Sequence, residues 1–379
     1  MGIGRGSVED VVTSSEHLAS FAGTRVFLTG HTGFKGAWLA TWLTALGAEV
    51  HGFALAPPTE PSMFVAAKVE AGLASSTIAD IRDAEALRRA LDNARPTHVI
   101  HMAAQPLVRL SYDDPVETFE VNVMGTVHLL EAVRHTPTVV SCVVVTSDKC
   151  YENLEWEYAY REPDAMGGKD PYSASKGATE LVAASYGRSF LAERGVGLAT
   201  VRAGNVIGGG DWALDRIVPD CVRALVAHEP ISIRNPRAVR PWQHVLEPLA
   251  GYLRVSALLA DDQERWAGAW NFGPHPEGHV DVGSIADLAV AAWGTGSWKH
   301  DAPAIAPAEA NLLRLDASKA MTQLGWSPVW TVENAVSETI AWYRAHDDDD
   351  DMHRVSLEQI KAFEHRGTWA PKTQMAGRS

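Results

Sequence analysis

Arg25-Val26-Phe27-Leu28-Thr29 runs directly into Gly30-His31-Thr32-Gly33-Phe34-Lys35-Gly36, and the reading of that junction decides the fold. The first five residues are a short apolar run of the kind that forms a buried strand. Three glycines follow at even spacing, and residues 37–46 then read as a helix stopped by Gly47. Glycines between a strand and a helix permit a tight turn and let the backbone close on a pyrophosphate, whose charge the helix N-terminus favours. Elsewhere the pattern would say little. In this place it predicts a dinucleotide site built on Gly30, Thr32, Gly33, Phe34 and Gly36. Residues 49–55 read as a second strand and complete a β-α-β unit.

The end of that second strand bears on which dinucleotide is held. An acidic residue there normally takes the ribose 2′-hydroxyl of NAD. The strand reads Val50-His51-Gly52-Phe53-Ala54-Leu55 and carries no carboxylate at its end, nor an arginine for a 2′-phosphate. His31 and Lys35 are the remaining cations for such a phosphate, although Lys35 more simply faces solvent or a second ligand. NAD is the favoured dinucleotide. Asp80-Ile81, where a third strand ends, is placed to meet the adenine; the alternative is a cap for the helix that follows.

Outward from this unit, further strands are expected at 97–101, 141–146 and 197–202, with helices at 84–93, 116–134 and 173–194. Alternation of this kind implies an α/β fold, a Rossmann-type doubly wound parallel sheet. After residue 205 the pattern changes. Gly208-Gly209-Gly210-Asp211-Trp212 reads as a flexible turn, followed by helices at 217–228 and 247–260 around a polar, proline-bearing stretch at 231–243. A short strand at 269–272 and helices at 282–293, 317–324 and 332–345 complete a smaller, mixed C-terminal substrate-binding lobe. The expected division is an extension over 1–22, a dinucleotide-binding domain over 23–204 with a later crossing back to it, the lobe over 205–367, and a tail over 368–379.

Composition narrows the partners. The 379 residues carry a net charge of −14, from 33 basic and 47 acidic side chains. That balance argues against nucleic acid or an anionic membrane, both of which need a basic face. Cys142, Cys150 and Cys221 are spaced too irregularly for a disulfide framework or a metal site. No signal-peptide core and no run of about eighteen apolar residues is present, so the cytoplasm is the expected compartment. The acidic run at 347–351 reads as a solvated loop rather than a metal site.

Tyr172 and Lys176 stand four apart in Tyr172-Ser173-Ala174-Ser175-Lys176, downstream of Thr146-Ser147-Asp148-Lys149. On a helix that spacing places both on one face. A lysine near a phenol favours the phenolate and lowers its pKa from about 10, giving a base for an alcohol proton. With the glycine loop, Ser147 and this pair in order, the chain resembles the extended short-chain dehydrogenases/reductases. Ala103-Ala104-Gln105 and Asn122-Val123-Met124-Gly125-Thr126 match the same superfamily. Within it the chain is most similar to the CDP-glucose 4,6-dehydratase family, over residues 23–367. The likeness rests on Thr29 to Gly36, on Thr146-Ser147-Asp148-Lys149-Cys150-Tyr151, on Arg202 to Trp212, and on Arg240-Pro241-Trp242-Gln243-His244.

The resemblance implies oxidation of a sugar at C4, loss of water across C5 and C6, and return of the hydride to C6, so that NAD ends as it began. Tyr172 would take the C4 hydroxyl proton, Lys176 would lower its pKa and hold the cofactor ribose, and Ser147 would bond the C4 oxygen. Ala103, Ala104 and Gln105 would line the cofactor. Asp148, if kept protonated by burial, fits the acid that releases the C6 hydroxyl. Related dTDP-sugar dehydratases carry a glutamate base where this chain has Lys149, which serves the elimination as base or as a cation on the enolate. Asn205, Arg234, Arg240 and His244 are implied as substrate-binding residues, with Arg240 the better placed guanidinium for a diphosphate. His244 has a second reading as a helix cap. Trp212 and Trp242 pack on the base or on each other. CDP-glucose is the implied substrate, and the long helices resemble those that build a homodimer or a dimer of dimers. A 4-epimerase of the same superfamily is the alternative, for which Asp148-Lys149 would be superfluous. A non-catalytic dinucleotide sensor is the other, and it would not require the Tyr172/Lys176 pair.

Overall fold

The computed structural model describes residues 14–301 and 312–367. Most of the expected N-terminal extension and the whole tail at 368–379 lie outside them. The strands β1 (Arg25–Thr29), β2 (Glu49–Ala54), β3 (Ser75–Ile78), β4 (His98–His101), β5 (Ser141–Val145) and β6 (Gly197–Ala203) join the strand Gly268–Phe272 in a seven-stranded sheet. Its order is β3-β2-β1-β4-β5-β6 followed by Gly268–Phe272, with every pairing parallel. Chain order reverses at β1, which lies between β2 and β4. The crevice at the carboxyl end of that reversal is where doubly wound sheets receive ligands.

The period-2 alternation of a strand sends neighbouring side chains to opposite faces, and β5 shows its consequence. Val143 and Val145 join a core with Trp38, Trp42, Leu249 and Leu253. Cys142 and Val144 join another with Leu87, Leu129, Leu130 and Ala183. Both faces are therefore covered. The chain leaves this sheet after β6 and returns with the helix Leu246–Asp261 and the strand Gly268–Phe272. Between these excursions the stretch expected to be merely polar supplies strands. Val239–His244 pairs with Asn205–Ile207 and His279–Asp281 in a three-stranded sheet.

Two departures from expectation have clear causes. The helix expected at 116–134 is interrupted by a π turn, Glu120–Met124, between Pro115–Phe119 and Gly125–Arg134. Within it Asn122 turns inward to take the backbone N–H of Gln105 at 2.8 Å, an arrangement typical of π turns near functional sites. The glycines Gly208 to Gly210 are buried contacts rather than a flexible turn. A Cβ on Gly209 would fall 2.1 Å from the Trp342 ring, and one on Gly208 would lie 3.1 Å from Phe34. The acidic run at 347–351 is solvent-exposed, as expected, and forms the turn between two helices. Asp347 ends Val332–Asp347, and the Asp351 carboxylate caps Met352–Arg366 by accepting from the backbone N–H of His353 at 3.1 Å.

Candidate active site

The glycine loop turns as its sequence requires. Gly30 has φ +77°, and a Cβ there would lie 2.8 Å from the Ala103 nitrogen. A Cβ on Gly36 would collide with the Gly30 carbonyl at 2.0 Å. At Gly33, the N-cap of the helix Phe34–Ala45, the nearest atom would be 3.4 Å away, and the helix has neither a side-chain cap nor an acidic residue in its first turn. Its first N–H groups are thus left for an external anion, the arrangement that suits a pyrophosphate. Thr32 closes the loop by donating to the Leu55 carbonyl at 2.8 Å.

His31 lies against β2 at Gly52 and Phe53, whereas Lys35 is directed toward Asp148, Asp211 and Arg216. The His31 ring occupies the place a side chain on Gly52 would take, with a Cβ 2.5 Å from the ring, and its Nε2 pairs with the Ser76 hydroxyl at 2.9 Å. Burial pulls its pKa down to about 4, so the ring is neutral and cannot receive a 2′-phosphate. Lys35 lies within reach of the charges of Arg216, Asp148 and Asp211. Burial first, and then Arg216, bring its pKa to about 8 against the pull of Asp148 and Asp211. Asp80 is engaged by Arg82, whose guanidinium reaches it at 2.6 Å, and Ile81 packs under Gly125. The cap on the following helix comes from Asp83 instead, which accepts from Ala86 at 2.9 Å.

Behind the loop, the Thr29 hydroxyl accepts from the backbone N–H of Met102 at 3.0 Å and of Ala103 at 3.1 Å. Ala104 follows, and Gln105 is buried, its amide donating to Thr118 at 2.9 Å. Asn122 donates to the Ser175 hydroxyl at 2.9 Å. The segment holding Ala103 to Gln105 is thereby fixed against the helix Pro171–Tyr186.

That helix begins at Pro171 because Asp170 accepts from the backbone N–H of Ser173 at 2.9 Å, two residues ahead of the expected start. It brings Tyr172, 8% exposed, and Lys176, 5% exposed, to the turn Asp148–Cys150 after β5. The Lys176 ammonium stands 6.0 Å from the Tyr172 ring centre. The expected lowering of the phenol is not found. Burial pushes Tyr172 up to about 12, while its hydrogen bonding with Ser147 and the charge of Arg216 act downward. Lys176 is itself brought down to about 8, by burial first and then by Lys35.

Ser147 donates to Asp148 Oδ1 at 3.0 Å and accepts from the Lys149 backbone N–H at 3.2 Å. Asp148 is 3% exposed, and its Oδ2 finds no hydrogen-bond partner among the described residues. Burial raises its pKa, opposed by Lys149, the Ser147 bond, Arg240 and Lys35. Lys149 beside it is half-buried. The Arg240 charge acts on this carboxylate, and the next residue, Pro241, packs where a Cβ on residue 204 would come within 2.4 Å. Asn205 begins the adjoining strand and registers with Trp242. Arg234 lies farther out, sharing Asp215 with Arg109 at 2.6 and 3.1 Å.

His244 is a correction. It is 0% exposed, its Nδ1 accepts from the Leu246 backbone N–H at 3.3 Å, and its ring lies 4.6 Å from that of Trp330. It is packed inside the core at the start of the helix Leu246–Asp261. Trp212 packs on Trp342 and Tyr343, and Trp242 donates to the Val280 carbonyl at 3.0 Å, so the two do not meet. Sequence reasoning missed Arg216, which reaches Asp211 at 2.8 Å and acts on Tyr172. It also missed Tyr252, whose buried hydroxyl lies near Asp148. Only Asp211, inside the Gly-Gly-Gly-Asp-Trp motif, offered a signal.

A family model described as GDP-mannose 4,6 dehydratase matches residues 27–267. A CDP-glucose 4,6-dehydratase from Salmonella typhimurium is 50% identical over 347 residues, covering 90% of this chain and 96% of that one. This chain belongs to the sugar-nucleotide 4,6-dehydratase family. Its membership makes it a hydro-lyase on the extended short-chain dehydrogenase/reductase fold. A dTDP-glucose 4,6-dehydratase from Xanthomonas campestris is a more distant relative at 26% identity, over 70% of this chain and 77% of that one. Among solved structures, a Thermus thermophilus UDP-glucose 4-epimerase in complex with NAD is 27% identical with a TM-score of 0.72, covering 84% of this chain and 99% of its own. The Streptomyces venezuelae dTDP-glucose 4,6-dehydratase DesIV shares the fold at 22% identity and a TM-score of 0.73, over 87% and 99%. These 4,6-dehydratases and the epimerase share one scaffold, so the chemistry of this family member has to be read from its site.

Proposed function

We propose that the chain converts CDP-D-glucose to CDP-4-keto-6-deoxy-D-glucose and water. The observation that carries this reading is Asp148, a buried carboxyl with a raised pKa and a free Oδ2, held by Ser147 beside Tyr172. An epimerase has no need of a proton donor at that place. The choice of a cytidine base is supported by the 50% identical relative, a CDP-glucose 4,6-dehydratase.

NAD fits the glycine cradle and the uncapped helix at Gly33, and it would supply the acceptor that takes a hydride from C4 and returns it to C6. NAD is favoured over NADP because His31 is buried and neutral and Lys35 lies within reach of the charges of Asp148 and Asp211. Gly30, Thr32, Gly33, Phe34 and Gly36 hold the pyrophosphate, Asp80 and Ile81 border the adenine, and Ala103, Ala104 and Gln105 back the ring end.

Tyr172 takes the C4 hydroxyl proton, helped by Ser147 and Arg216, which act to lower its pKa. Ser147 bonds the C4 oxygen and Lys176 holds the ribose. The C4 ketone acidifies the C5 proton, and Lys149 serves its removal, as base or as the cation on the enolate. Asp148 gives its proton to the departing C6 hydroxyl. Arg240 and Asn205 meet the substrate diphosphate and sugar, with Arg234 at the rim. Residues 205–245 and 273–367 then act mainly on the substrate, and the large sheet on the cofactor.

The exposed Val116, 66% accessible, and Leu181, 65% accessible, support pairing of their helices in a homodimer or dimer of dimers. The three cysteines are free and buried, in keeping with a cytoplasmic setting. Among the described residues no helix is long and apolar enough to cross a membrane.

The test is incubation with NAD and CDP-glucose beside the UDP, GDP and dTDP sugars. A 4-keto-6-deoxy product from CDP-glucose alone is expected. Turnover of another nucleotide would overturn the base, and a C4-epimerised product would overturn the dehydration. Lys149→Ala should keep the oxidation, stop the elimination and abolish deuterium uptake at C5, and elimination at an unchanged rate would remove Lys149 from that step.

A further inference from the structure

Beneath the catalytic cluster lies a buried ion pair for which the reaction has no direct use. Arg202 on β6 is 2% exposed, and Glu180, one turn after Lys176, is 5% exposed. Arg202 Nε donates to Glu180 Oε1 at 2.8 Å and Nη2 to Oε2 at 2.7 Å. For stability alone such a pair brings little, because removing two charges from water offsets most of their attraction.

Its remaining partners are informative. Glu180 Oε1 accepts the hydroxyl of Thr146, the residue before Ser147, and Oε2 accepts Thr200 at 2.6 Å. Arg202 Nη1 donates to the Tyr151 hydroxyl at 2.7 Å. That hydroxyl donates onward to Asn271 at 2.7 Å, and the Tyr151 ring stacks on Tyr160 at 5.2 Å. Residues 147–150 are therefore tethered at both ends, through Thr146 and Tyr151, to one ion pair. Its acidic half stands on the helix of Tyr172 and Lys176.

We propose that Glu180, Arg202 and Tyr151 are positioning residues that hold the Ser147-Asp148-Lys149 turn in register with Tyr172 and Lys176. The same sugar is then oxidised and dehydrated without shifting. The inference rests on the roles given above to Asp148 and Lys149. The two halves of the reaction use groups on separate elements, a turn after β5 and a helix. A displacement of about 1 Å between them costs up to a hundredfold in rate.

Thr146→Val and Tyr151→Phe each remove one tether and leave both charges paired, so neither buries a lone ion. The readouts are steady-state kinetics with CDP-glucose, borohydride trapping of the 4-keto-6-hydroxy sugar, deuterium uptake at C5, and thermal melts. In both variants kcat for the 6-deoxy product should fall on the order of tenfold with KM held within about twofold. The trapped intermediate should rise, C5 exchange should slow in step, and Thr146→Ser should restore all three. Unchanged kcat, trapping and exchange alongside a lowered Tm would overturn the proposal and leave the pair purely structural. Asp148→Asn is the separate control. If it eliminates water normally, the assignment of the acid fails, whatever the tethers do.

Discussion

At Asp148, function and stability pull in opposite directions. Burial raises its pKa, so the folded chain holds this proton more tightly than the unfolded chain does. The associated stability is complete below the ordinary carboxylate pKa and is lost as pH rises through the raised value. Asp148→Asn should accordingly raise Tm more at alkaline than at acid pH, by differential scanning calorimetry. The same substitution should cut elimination on the order of a hundredfold while CDP-4-keto-glucose is still formed. A Tm gain independent of pH would show that the carboxyl is not held protonated. Tyr172→Phe acts earlier. It should lower kcat by about a thousandfold with little change in substrate Kd, and retention of more than a tenth of the rate would remove Tyr172 from the base role. His244 shows the limit of reading residues singly. Its place in a specific motif pointed to the substrate, whereas its ring is packed against Trp330.

Within the glycine loop, three similar residues have different tasks. Gly36 is required by the chain itself, since a Cβ would sit 2.0 Å from the Gly30 carbonyl. Gly33 meets nothing closer than 3.4 Å. Gly36→Ala should therefore destabilise the fold by about 2 kcal/mol, measured by urea unfolding, from overpacking against backbone. Gly33→Ala should leave stability within about 0.5 kcal/mol and weaken NAD binding in a fluorescence titration. Equal effects of both on stability would contradict the reading of Gly33 as the ligand-facing position. The π turn Glu120–Met124 belongs to the same scale. Apolar periodicity foresaw a helix there, but the turn exists because Asn122 must reach Gln105, which lies on another element.

Across the whole molecule, buried histidines set the acid limit. His31 and His98 are drawn down to about 4, and His101 and His244 to about 3, in each case first by burial. Their folded-state pKa values lie below the ordinary 6.5, so unfolding takes up protons once pH falls below that value. Stability is then fully present above it and is lost toward the folded-state values, at up to about 1.4 kcal/mol per pH unit for each ring. Urea midpoints should drop steeply on acidification through this window. A flat profile would mean that the rings are accessible and charged in the folded protein. His98→Gln should flatten the slope measurably, since one depressed ring no longer contributes to it.

The sequence by itself determined the strand, glycine loop and helix that open the fold, the alternation that makes a parallel doubly wound sheet, and the Ser147, Tyr172 and Lys176 set. These are local signals, written in spacing and periodicity within a few residues. The Arg202 to Trp212 and Arg240 to His244 motifs were legible as marks of kinship but not as geometry. Only the tertiary structure decided that Lys35 comes near Asp148 and Arg216, that the Arg216 charge acts on Tyr172, and that His244 is buried in the core. It also decided the state of Tyr172. Spacing alone implied a phenol lowered by Lys176, and burial raised it instead to about 12. Burial and charge depend on residues distant in the chain that meet after folding, and no window of sequence contains them.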